Sequence, residues 1–211
     1  MFSRFDPMAI LYSLPAVFLA LSFHEFAHAY VATRLGDPTP QIEGRLTLDP
    51  MSHIDPIGLI LFILVGFGWA KPVRVNPSYF RNAKLGDLLV SVAGPLANLL
   101  LAFFSLSIIY LSVFVFKFEH MIFTNIMWPI VNLNLVFMVL NFLPIPPLDG
   151  FHVAKNLLFR RYGRIFWNIE RYGSLIFILV LFTGAMDTVI SKGVSLVFNA
   201  MNQFYFLIFN I

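Results

Sequence analysis

Ser22-Phe23-His24-Glu25-Phe26-Ala27-His28-Ala29 is the stretch whose reading decides the fold. It sets two imidazoles and a carboxylate inside a run that is otherwise apolar. Between Met8 and Thr33 only Glu25 carries formal charge. As helix, at ~1.5 Å per residue, this run reaches about 39 Å, more than the ~30 Å hydrocarbon core of a bilayer. The pattern His-Glu-x-x-His is therefore expected within a transmembrane helix. Ionisable groups at that depth are costly and mark function, so three within five residues point to a site.

The remainder of the 211-residue chain has the same character, with 59% hydrophobic and 12% charged residues. Soluble domains carry about 25% charged residues, so an ordinary globular core is excluded in favour of a polytopic membrane protein. The formal charge of +3 is read as loop lysines and arginines that set topology. No basic run is long enough for nucleic-acid binding. Cysteine is absent, which removes disulfides and thiolate metal sites. A cleavable signal peptide is not expected, because cleavage would discard the motif. One membrane domain, residues 1–211, is the simplest organisation.

Spans are read at about Met8–Thr33, Asp87–Phe116, Ile122–Leu143, Tyr172–Ser191 and Gly193–Ile211. The last two follow so closely that an antiparallel helical pair, 172–211, is expected. Asp87 is placed as a helix N-cap. Ile57–Trp69 would cover only about 20 Å as helix, so it reads as a re-entrant element or a partial crossing. The following Gly68–Pro77 reads as a proline-bounded extended strand. The expected class is thus all-α, with five spans, or six if Ile57–Trp69 crosses, and a re-entrant or short β element between the first two full spans.

Counting basic residues orients the chain. If 57–69 does not cross, loops 34–86 and 144–171 share one side, and they hold Arg34, Arg45, Lys71, Arg74, Arg81, Lys84, Lys155, Arg160, Arg161, Arg164 and Arg171, which is eleven of fourteen. Arg4, Lys117 and Lys192 fall on the other side. Basic loops favour the cytoplasm, so His24 and His28 lie near the cytoplasmic end of the first span.

Histidines four apart share a helix face and can hold one zinc ion, with Glu25 placed to take a proton from a zinc-activated water. Catalytic zinc needs a third protein ligand. Candidates are His53, Asp55, Asp87, Glu119, His120, Asp149, His152 and Asp187. The topology removes Glu119, His120 and Asp187. Asp149 stands first, at the mouth of a helix broken by Pro144-Ile145-Pro146-Pro147, and His152 stands next. Asp149 as a plain helix cap is the bland alternative. His53 and Asp55, beside Pro56, read as turn or cap residues. Asn98, Asn132 and Asn134 read as interhelical hydrogen-bonding groups. Two rivals to proteolysis use the same ligands: a metal transporter or sensor, which leaves Glu25 without a task, and an inactive scaffold.

His24-Glu25-Phe26-Ala27-His28 combined with Asn141-Phe142-Leu143-Pro144-Ile145-Pro146-Pro147-Leu148-Asp149-Gly150 resembles the site-2 protease family of intramembrane zinc metalloproteases. Gly44-Arg45-Leu46-Thr47-Leu48-Asp49-Pro50, His53-Ile54-Asp55-Pro56, Gly68-Trp69-Ala70-Lys71-Pro72-Val73 and Ala93-Gly94-Pro95-Leu96-Ala97-Asn98 look like its compact prokaryotic branch, without PDZ or CBS modules. The motif-bearing core covers residues 8–152. The resemblance implies one zinc per chain held by His24, His28 and Asp149, with Glu25 as catalytic base and a substrate-positioning or oxyanion-stabilising Asn141. It also implies substrates that are single-span membrane proteins already trimmed by another protease, and a multi-pass protein of the cell membrane. The segment around Trp69 and Val73 is expected to bind substrate by β-augmentation. The sequence does not fix the oligomeric state.

Overall fold

Asp37 shows how the chain leaves its first membrane helix. Helix α1, Pro7–Arg34, stops at Gly36, whose φ of 104° suits a glycine just past a helix end. The next residue is fully buried and binds two backbones at once. One oxygen of Asp37 accepts from Thr39 N at 2.9 Å and the other from Asn76 N at 2.6 Å. The loop that follows α1 is thereby tied down at both ends. In this computed structural model, residues 7–65 and 68–209 are described. Arg4, residues 66–67 of the Ile57–Trp69 segment and the chain end at Ile211 lie outside them.

The loop contains two single-turn helices, α2 (Thr39–Ile42) and α3 (Pro50–His53), and then α4 (Pro56–Val65). Asp55 caps α4 by accepting from Ile57 N and Gly58 N, and Asp49 caps α3. The two ends of the α4 segment meet. Ile54 pairs with Ala70 in an antiparallel bridge, and a Cβ on Gly58 or Gly68 would run into the backbone of the other arm. This bridge is isolated, and no strand forms among the described residues. Gly68–Pro77 is extended chain pinned at intervals rather than a sheet member.

Helix α5 spans Ala83–Tyr110 and passes into a π-turn at Leu111–Val115; α6 spans Met121–Asn141. Asn82, not Asp87, caps α5, accepting from Leu85 N at 3.1 Å. Asp87 sits a turn inside and faces the next helix, α7 (Asp149–Arg171). Helix α7 folds back on itself. Phe151 meets Phe166 with ring centroids 5.6 Å apart, and Lys155 pairs with Glu170. Fifteen residues along a straight helix would separate those partners by about 22 Å.

The C-terminal reading is corrected. Helix α8 (Gly173–Phe182) and α9 (Ala185–Phe209) meet at 82° and are not antiparallel. The break falls at Gly184, φ 69°, and not at Lys192-Gly193, which lies inside α9. Gly193 is there for packing, since a Cβ would come 2.7 Å from Val139 Cγ1 on α6. Hydropathy alone does not register that contact.

Among the described residues three helices, α1, α5 with its π-turn and α6, are long and apolar enough to cross a membrane, or up to four spans if α8–α9 counts as one. The protein is an all-α, multi-pass membrane protein. The α5–α6–α9 end of the bundle is packed by Ala102, Leu106, Val131, Leu135, Met201 and Tyr205. The α1–α5–α6 contact towards the other end is polar.

Candidate metal centre

His24 and His28 lie one turn apart on α1 with both rings buried. Their tautomers follow from a chain of hydrogen bonds. Ile130 O can only accept, so Asn134 donates to it through Nδ2 at 2.8 Å and turns Oδ1 away. That oxygen accepts from Asn98 Nδ2 at 2.8 Å, and the same nitrogen also donates to Ala20 O. Asn98 Oδ1 therefore faces His24 Nδ1, which donates at 2.7 Å. His28 Nδ1 donates to Val90 O at 2.8 Å. In the neutral rings both Nε2 atoms then expose lone pairs, and they point at each other across 3.0 Å.

Asp149 completes the group. Its Oδ2 lies 3.1 Å from His24 Nε2 and 3.3 Å from His28 Nε2, and it is buried without a hydrogen-bond partner. Asp149 does not cap α7; the cap position is Leu148 and no side chain fills it. Three acceptor atoms thus converge with no proton between neutral partners, which is unfavourable unless a cation sits among them. Tetrahedral zinc with bonds of ~2.0–2.2 Å has ligand-to-ligand edges of about 3.3 Å, close to the observed triangle. The donor set therefore fits zinc. Room is kept for it by Gly94, where a Cβ would stand 2.5 Å from His28 Nε2 and 2.6 Å from His24 Nε2.

Glu25 is buried and its Oε2 accepts from Val73 N at 2.8 Å. It lines a cavity of about 500 Å³ together with the triad, Val73 and Asn141. Asn141, half-buried at the end of α6, donates one N–H to Phe137 O at 3.0 Å. Trp69 does not reach this cavity. It is held at the Ile54–Ala70 bridge and against Gly58, four residues of extended chain away from Val73. His53 is fully buried elsewhere, its Nε2 on Thr47 O and its carbonyl on Lys71 N. Asn98 and Asn134 do bridge helices, whereas Asn132 is exposed on α6. Two features of the site were not foreseen from the sequence: the Asn98 bridge ends on His24 and orients it, and Gly94 faces the same rings. The spacing offered a signal, since Gly94 and Asn98 are four apart and share a helix face.

A His24–His28–Asp149 triangle with the Glu25 carboxylate beside it, its histidines on a membrane-length helix, defines a membrane protein with a zinc-type metal centre. Comparison with known proteins gives the family. Over 186 residues the chain is 37% identical to the provisionally named zinc metalloprotease YwhC of Bacillus subtilis, covering 84% of this chain and 83% of that protein. It is 32% identical to the similarly named Rip2 of Mycolicibacterium smegmatis, over 80% of this chain and 66% of the relative. With MJ0611 of Methanocaldococcus jannaschii, also provisionally a zinc metalloprotease, identity is 28% over 73% of this chain and 74% of the relative. No family model and no solved structure matches. The chain belongs to the site-2 protease family, and it is a zinc metalloprotease.

Proposed function

We propose that the protein hydrolyses peptide bonds within or near the transmembrane segments of single-span membrane proteins, as a step of regulated intramembrane proteolysis. The observation that carries this reading is the shared cavity. Glu25 and the His24–His28–Asp149 triangle line one space, beside the hydrogen bonds of Asn98 that join α1, α5 and α6. In this reading the site opens to the cytoplasmic side of a prokaryotic cell membrane, where eleven of fourteen basic residues fall. The α4 segment is re-entrant, and α8–α9 complete the crossing part.

His24 Nε2, His28 Nε2 and Asp149 Oδ2 would hold the zinc ion. When bound, zinc polarises the scissile carbonyl and lowers the pKa of water at the site. Glu25 takes a proton from the attacking water and returns it to the leaving nitrogen. The Val73 N–H fixes one Glu25 oxygen and leaves the second for that proton. Asn141 turns its remaining N–H towards the carbonyl oxygen of the substrate. Asn98 and Val90 O keep the ligand nitrogens deprotonated and aimed. The extended segment around Val73 lies along the cavity wall and aligns the substrate chain. Lys71 N, Val73 N and Asn76 N hold this segment to His53 O, Glu25 and Asp37, and the segment offers the substrate an extended backbone.

The test uses the full chain in proteoliposomes with synthetic single-span peptides, Leu/Ala-rich and carrying a Gly-Pro step at different depths. Wild type is expected to carry one zinc and to cleave at least one peptide. Glu25→Gln should keep the zinc and lose about 10²–10⁴ in rate. Metal transport that survives in Glu25→Gln, with no peptide cleaved by either protein, overturns the proposal.

A further inference from the structure

A second polar group lines the catalytic cavity without touching the triangle. His152 lies three residues after Asp149 on α7, so both side chains emerge from the same face of that helix. Its Nδ1 faces Asp87 Oδ2 at 3.8 Å, within ion-pair reach and too long for a direct hydrogen bond. Asp87 is itself held from α7, by the Asn156 amide, which also donates to His152 O at 3.0 Å. His152 and Asp87 stand where the catalytic cavity joins a second cavity of about 700 Å³ lined by Lys84, Lys155 and Asn156. An imidazole that faces a carboxylate with one nitrogen and an open cavity with the rest of its ring is arranged for hydrogen-bond donation.

The reaction leaves a place for such a donor. Asn141 spends one N–H on Phe137 O and retains one for substrate. Charge that develops on the carbonyl oxygen is met by the metal when bound and by preorganised donors, of which Asn141 supplies one N–H and leaves room for a second. We propose that His152 is a further catalytic residue, oriented by Asp87, that donates a hydrogen bond from Nε2 to the reacting carbonyl oxygen of the substrate. The inference rests on the protease reading above. The Asp87 carboxylate raises the His152 pKa above the ordinary imidazole value, favouring the doubly protonated ring, while burial and Lys155 act against it.

The experiment compares His152→Ala, His152→Gln and Asp87→Asn with wild type in proteoliposomes, on the synthetic peptide that wild type cleaves best. It reads kcat, KM and bound zinc. His152→Ala is expected to lose about 100-fold in kcat, the size of effect seen when one oxyanion donor is removed. KM should stay within about twofold and zinc at one per chain. His152→Gln, which keeps an N–H donor, should recover part of the loss, and Asp87→Asn should lower kcat less than His152→Ala does. An unchanged kcat in His152→Ala overturns the proposal, as does loss of zinc in both His152 variants, which would make the residue structural. Failure of the protease reading appears separately, in a zinc-loaded wild type that cleaves none of the peptides.

Discussion

Helices α1, α5 and α6 bury a connected chain of polar side chains that ends on the metal centre, whereas the contact of α9 is mainly apolar, with Tyr205 and Asn202 bonded to α5. His24, His28, Asn98 and Asn134 are all buried and all bonded across or along helices. Asp187, Ser191 and Lys192 on α9 are exposed. Helix α9 is placed by apolar fit, through Met201, the Tyr205 ring and the bare backbone of Gly193 against Val139, and by hydrogen bonds from Tyr205 to Phe103 O and from Tyr110 to Asn202. The two regions are held by different forces. Relative depth in the first is set by directional bonds, each of which fails if a helix slides by a turn. In the second most of the contact is apolar burial, with the bonds of Tyr205 and Asn202 to α5 added to it.

The contrast can be broken at several points. Gly94→Ala should have the largest effect, because its methyl group enters the space between the two imidazoles. Zinc content by elemental analysis should fall towards zero in a protein that still inserts and folds; retained zinc would mean that α5 can move away cheaply. Asn98→Ala removes the acceptor for His24 Nδ1 and should weaken zinc binding about 10–100-fold, read by competition with a chromophoric chelator. Arg74→Pro deletes one N–H of the extended segment and leaves the Val73–Glu25 bond, so cleavage should drop about fivefold, the worth of one ~1 kcal/mol hydrogen bond, at unchanged zinc. Gly193→Leu should cost about 1–3 kcal/mol by overpacking against Val139 and leave zinc affinity alone. Lys192→Gln, exposed on α9, should change stability by less than ~0.5 kcal/mol. A zinc effect from either α9 variant would erase the distinction between the regions.

The same distinction accounts for what could be read from the chain. Long apolar runs with clear polar stops gave α1 and α6 to within two residues, because Gly36 and the Pro144–Pro147 run cannot continue a helix, while the start of α5 was read four residues late. His24, Glu25, His28 and Asp149 were legible because ionisable groups are rarely carried to that depth without a function. The α8–α9 break was not legible. Gly193 and Gly184 look alike in sequence, and only packing against Val139 tells a contact glycine from a turn glycine. Trp69 was misplaced for a related reason, since a strand seen as a continuous edge is in fact fixed at Ala70, which keeps the tryptophan away from the cavity. Asp87 was read as a cap because its partners, His152 and Asn156, lie more than sixty residues further on.

The unpaired Asp149 oxygen has a consequence for how the molecule matures. Without a cation, three acceptors repel one another, and closure of the residues before α7 against α1 rests on the α7 contacts to α5, such as Asn156 to Asp87, against that repulsion. Metal loading and docking of the 144–149 connection are then one event, and free energy of ion binding becomes free energy of assembly. Newly inserted chains would wait in a loosened form, open to proteolysis at that connection, until zinc arrives. Supply of the ion would thus set how many chains survive as well as how many are active.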